Sequence, residues 1–220
     1  MSNISTPWKK SRTYGDVHGG RTRRKFADRI FRRVHSIARP NPEDELPILI
    51  EENPSRDFFF PISGHEAVEA LKALPKRDYA GITHVWMRRL KKSDHIEKVQ
   101  PLAYFACGSG VRAITLFPWP KNMKLSYGTT RPSNKLINEA EGFGAEILKE
   151  GNDWISRWDL EGLRKFYIQG ILFHEVGHHV DSYYRHFSQA NAKQVEEFAD
   201  QYAIARTATA THVYNRLEKG

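Results

Sequence analysis

Apolar residues recur at helical spacing near both ends of the chain, and between those regions they gather in short β-rich segments. In residues 21–39, RTRRKFADRIFRRVHSIAR, the positions Phe26, Ile30, Val34 and Ile37 form one stripe with arginines opposite, and Pro40 stops the pattern. That periodicity predicts a basic amphipathic helix. PNPEDELPILIEENPSR reads as a proline-rich connector with one short strand in LPILI, and HEAVEALKAL as a helix capped by Ser63 with Glu66 completing a capping box. GITHVWMRRL, PLAYFAC and VRAITLFPW are β-rich, and GSG joins the last two, which predicts a small antiparallel sheet. Residues 120–134 read as loop, and LINEAEGFGAEILKEG as one broken helix or two short ones. The last 60 residues read as helices: DLEGLRKFYIQGILFHEVGHHVDSYYRHF, NAKQVEEFADQYAIARTA and a shorter THVYNRLEKG. The expected class is α+β, divided into an arm with its helix (1–40), a linker (41–60) and a domain (61–220).

The chain has 220 residues and is 40% hydrophobic, with twelve Phe and five Trp, enough to build a core. Charge changes the picture more than composition does. Residues 1–40 carry eleven Lys and Arg against Asp16 and Asp28, a net +9, while the other 180 carry 23 against 24, a net −1. A segment so basic commonly meets nucleic acid or an anionic surface; the plainer reading is a solvated arm. The first residues lack the apolar stretch of a secretion signal, and no apolar run approaches the ~20 residues that span a bilayer. A soluble, cytoplasmic protein without membrane contact is expected. The single cysteine, Cys107, excludes a thiolate-rich metal site and is expected in the core.

Three histidines and two acids crowd into ILFHEVGHHVD, residues that otherwise read as a buried helix, where uncompensated polar groups are costly. A cation resolves the cost. His174, Glu175 and His178 form HExxH: on a helix both imidazoles can bind one zinc ion while Glu175 points beside it at a water. A tetrahedral site needs a third protein ligand. Glu196, in QVEEFADQYA, follows His178 by 18 residues, the interval for a helix to end, turn and return, and could supply an oxygen. Asp200, four residues later, can accept the other ring proton of a ligand histidine. Glu197 and His186 are alternative third ligands. His179 points about 100° away around the helix and is not expected to bind. His65 and Glu66 begin a similar motif that no second histidine completes. Tyr183, Tyr184, Tyr202 and His212 are candidate donors to a developing oxyanion, weighed against core or surface roles.

HEVGH followed by EEFAD resembles the gluzincin metallopeptidases, closest in scale to the minigluzincins and the ImmA/IrrE-like peptidases. The likeness spans residues 174–203. It implies zinc on His174, His178 and Glu196, Glu175 as general base, Asp200 behind a histidine, and a zincin-like fold with a small sheet over the active-site helix. The implied activity is cleavage of a protein or peptide substrate, held as an added strand along an exposed sheet edge, for which VRAITLF is the expected candidate. The alternative is a nucleic-acid-binding protein whose zinc is structural, or whose peptidase scaffold is inactive, with residues 1–40 as the contact.

Overall fold

The computed structural model of the protein describes residues 37–89 and 102–219, and they form an α+β architecture. The basic arm and nearly all of the helix expected over residues 21–39 lie outside these residues. Of that helix's stripe only Ile37 is described, and it packs against Val111 and Ala113.

The main sheet holds β1 (Ile48–Glu51), β3 (His84–Met87), β4 (Ala103–Gly108) and β5 (Val111–Leu116), in the order β1-β3-β5-β4. Only the β4–β5 hairpin is antiparallel; β1 pairs parallel with β3, and β3 parallel with β5. The sheet is therefore mixed and not antiparallel as expected. The cause is the helical crossover: α1 (Gly64–Lys72) and α2 (Lys76–Tyr79) lie between β1 and β3, and a helical crossover returns the chain parallel. Residues 41–60, expected as linker, contribute β1 to this sheet and β2 (Phe58–Phe59) to a two-stranded ribbon with β6 (Trp119–Pro120). The capping box of α1 is formed, with Ser63 Oγ accepting from the Glu66 N–H at 3.2 Å and the Glu66 carboxylate accepting from the Ser63 N–H at 2.6 Å.

VRAITLF falls on β5, which has strands on both sides, so it offers no free edge. The edges are β1 and β4. Cys107 sits near the end of β4 and is exposed, where a core position was expected.

A second, three-stranded antiparallel sheet is ordered β7-β9-β8: β7 (Lys124–Gly128) falls in residues read as loop, β8 (Glu146–Glu150) in those read as broken helix, and β9 (Asp153–Arg157) in residues given no element. Between β7 and β8 lies α3 (Asn134–Gly142), capped by Ser133 Oγ and followed by Gly144 at φ +88°. Beyond that stop, EILKE pairs in register with DWISR across the Gly151 turn. Glu and Lys disfavour strands intrinsically, so only the pairing with β9 makes these residues a strand.

The three C-terminal helical segments are present as expected. The first is continuous from α4 (Leu160–Phe166), capped by Asp159, through a π-helical stretch (Tyr167–Phe173) into α5 (His174–Asp181). Tyr167, Ile168, Leu172 and Phe173 are fully buried and carry this run through the core. A 3-10 turn (Gln189–Asn191) leads into α6 (Ala192–Ala205), which runs antiparallel beside α5. The two backbones meet at Gly177, where an added Cβ would lie 2.7 Å from Ala199 Cα. Only a residue without a side chain permits that approach. The last helix, α7 (Thr207–Leu217), packs against α1 and α4. Among the described residues no helix is long and apolar enough to cross a membrane.

Candidate metal centre

Histidines four residues apart on α5 emerge from one face, and the rings of His174 and His178 stand 4.7 Å apart and nearly perpendicular. The antiparallel approach of α6 brings Glu196 opposite both. One of its carboxylate oxygens lies 3.4 Å from His174 Nε2 and the other 3.6 Å from His178 Nε2. Ligand atoms about 2.0–2.1 Å from a tetrahedrally bound zinc stand about 3.3–3.4 Å from each other. Each of these two nitrogen–oxygen contacts is thus close to the separation between two ligands of one zinc ion. One turn further along α6, Asp200 Oδ1 lies 3.1 Å from His174 Nδ1, and its Oδ2 accepts from the Lys135 ammonium on α3. A neutral His174 with its proton on Nδ1, toward Asp200, would leave Nε2 free to ligate.

Glu175 lies beside the two rings on α5, against edge strand β4. Its carboxylate accepts from the Phe105 N–H, while Oε2 is buried with no protein partner. Burial pushes its pKa up to about 7, with His174 and the Phe105 N–H pulling the other way. Ligand atoms of His174, Glu175 and His178 lie within 4.8 Å of one another. Glu175 therefore has the proximity of a ligand as well. What separates it from Glu196 is orientation: Glu196 presents one oxygen to each Nε2, whereas Glu175 is tied back to the sheet.

The electrostatics favour a cation between these groups. Burial disfavours the His174 imidazolium, yet Glu196, Glu175 and Asp200 outweigh it and raise the His174 pKa. Burial and the neighbouring His174 charge push His178 down to about 4, and the hydrogen bond to His174 holds the Glu196 carboxyl low. Two carboxylates beyond Glu175 thus converge on two imidazoles that cannot both take a proton, a donor set suited to a divalent ion with nitrogen and oxygen preferences.

All five residues line one cleft of about 1010 Å³, bounded by β4, α3, the π-helical stretch and the α5–α6 connector. The remaining candidates fall elsewhere. His179 turns into the protein, where Nδ1 accepts from Arg112 Nε at 3.1 Å and Nε2 meets the Ala80 carbonyl at 3.1 Å; burial pushes its pKa to about 4. Glu197 faces Lys193 on the surface, and His186 lines the cleft beyond the cluster of ligand atoms. Tyr202 donates to Asp78, Tyr183 to the Ala80 carbonyl, and Tyr184 and His212 are exposed; none of the four lines the cleft. Glu66 is engaged by Ser63 and Arg164, and His65 is exposed.

Other polar side chains of the cleft, among them Tyr127, Lys135, Glu139, Ser182 and Arg185, were not singled out in the sequence. Each reaches it from an element misread there or from beyond the motif. The four-residue spacing of Lys135 and Glu139 on α3 is the one cue that existed, since it places both on a single helix face. The C-terminal helix α7 contributes nothing to the lining. Comparison with protein-family models, curated proteins and solved structures gave no match, so the function must be argued from this geometry.

Proposed function

We propose that the protein is a gluzincin-type zinc metallopeptidase with a zincin-like fold, in which His174, His178 and Glu196 hold the metal. The observation that carries this reading is the Glu196 carboxylate, whose two oxygens face the two Nε2 atoms at 3.4 and 3.6 Å. Bound there with an open position, zinc would lower the pKa of a water toward ~7 and polarise a substrate carbonyl. The chain supplies the rest. Glu175, anchored by the Phe105 N–H, is placed to accept a proton from the attacking water and return it to the leaving amine. Asp200 keeps His174 oriented, and Gly177 keeps α6 close enough for Glu196 to reach. The outer edge of β4 borders the cleft, and its main-chain groups, apart from the Phe105 N–H, can align an extended peptide whatever its sequence.

The test is Glu175→Gln, which should retain zinc and lose peptide cleavage; cleavage at the wild-type rate would refute Glu175 as the base. A second reading, a nucleic-acid-binding protein with a structural or inactive metal site, is favoured only by the net +9 over residues 1–40. Removing residues 1–36 should abolish salt-dependent DNA retention if that reading holds, leaving zinc and cleavage untouched. Absence of DNA retention by the full chain at low salt removes it.

A further inference from the structure

The main sheet has a second face, turned away from the metal-facing residues. Phe105 points its ring toward α5, where it meets His179 edge-on with centroids 5.4 Å apart, so the alternation along β4 sends Tyr104 to the opposite face. There Tyr104, Phe117 and Phe58 form a cluster separate from the main core. Arg88, one residue past β3, lies against it. Its Cζ stands 5.1 Å from the centroid of the Trp86 ring and 5.4 Å from that of Phe117, and its Nη1 donates to the Tyr104 hydroxyl at 3.3 Å. Only 8% of the residue is exposed, yet among the described residues no carboxylate pairs with it. The Glu52 carboxylate, which touches Trp86, accepts instead from Trp86 Nε1 and from the Arg89 N–H.

A guanidinium cannot shed its proton, and charges this deeply buried are almost always paired. The two rings offer it cation–π contact but no hydrogen-bond acceptor. Its Nε and Nη2, which form one planar fork, have no protein partner among the described residues, and both keep contact with solvent. Tyr104, accepting from Arg88, has its own proton to give. Thr115 adds a second unmet group: the register places it between Trp86 and Tyr104 on this face, and its Oγ is buried with no partner. An unpaired cation beside uncommitted hydroxyls is the complement of an oxyanion.

We infer that Arg88 anchors an oxyanion site, in which Nε and Nη2 hold the carboxylate or phosphate group of a small ligand side-on and the Tyr104 hydroxyl donates beside them. The site is distinct from the metal-facing cleft and does not rest on the peptidase reading.

Sodium phosphate and sodium acetate serve as probes, titrated separately into the full-length protein at an ionic strength fixed with sodium chloride and followed by thermal denaturation. At least one should raise Tm along a saturating curve, by about 3–6 °C at a tenfold excess over its Kd. A response to phosphate alone marks a phosphorylated ligand, and one to acetate alone a carboxylate. Arg88→Met keeps much of the packed stem and should remove the saturating part, leaving the gradual rise that excluded salts give any protein. If that variant does not fold, Tyr104→Phe removes one donor and should weaken binding about tenfold or more. No saturating response to either probe, or an unchanged one in the folded variant, would overturn the inference; the second result would put the anion at the basic arm or the metal centre instead. Stabilisation by a DNA oligonucleotide but by neither small anion would overturn it as well.

Discussion

Replacing Asp200 by Ala should weaken zinc without removing any atom that touches it. In the protein Asp200 Oδ1 stands 3.1 Å from His174 Nδ1, so the substitution removes a carboxylate in close charged contact with the ring. A contact of that kind contributes at most the ~1.5–3 kcal/mol of a hydrogen bond to a charged group. The lower part of that range applies, because the Asp200 side chain is 26% exposed and its other oxygen is shared with Lys135. At about 1.4 kcal/mol per factor of ten, the expected loss is roughly 10–30-fold in zinc affinity, within the span seen for partners standing behind a ligand. A competition titration against a fluorescent chelator measures it, with circular dichroism confirming the fold. Asp200→Asn keeps an acceptor and should lose less. Affinity unchanged within about twofold would refute the role assigned to Asp200. A loss as complete as that of Glu196→Ala would make Asp200 a ligand itself.

Other consequences follow from the same contacts. Gly177→Ala should destabilise the fold by ~1–3 kcal/mol and weaken zinc, since its Cβ would lie 2.7 Å from Ala199 Cα and must push α6 away; thermal melts and the same titration report both. Glu175→Gln should slow cleavage by ~10²–10⁴-fold at full zinc occupancy, read from peptide turnover and metal content. Burial opposes ionisation of Asp78 and Glu66, but hydrogen bonds from Arg206 and Tyr202 to Asp78, and from Ser63 and Arg164 to Glu66, outweigh it and hold both carboxyls below their ordinary values. A depressed folded-state pKa contributes stability that is present above the unfolded value and lost as pH falls through the folded one. Chemical denaturation should therefore show stability dropping below about pH 4, with a shallower acid limb in Asp78→Asn.

The metal-facing residues were legible because helical spacing is a local property. HExxH fixes two rings on one face, and a glutamate and aspartate four apart fix the answering face; the capping box at Ser63 was readable on the same ground. What failed was non-local. Nothing within GITHVWM states that its strand lies parallel to two others; toward β1 this follows from α1 and α2 crossing between the two strands. EILKE has the composition of a helix and becomes a strand only through β9, so the second sheet stayed hidden, and with it Leu125 and Tyr127 on β7. VRAITLF has the stronger strand composition, but the pairing order puts it inside the sheet and leaves β1 and β4 as the edges.

The most direct measurement is zinc stoichiometry by elemental analysis after loading and dialysis, on wild type, Glu175→Gln and Glu196→Ala in parallel. One zinc per chain in the first two and none retained in the third is the predicted result. A wild type that retains no zinc, or a Glu196→Ala variant that keeps one tightly, would contradict the assignment of His174, His178 and Glu196 as the metal centre.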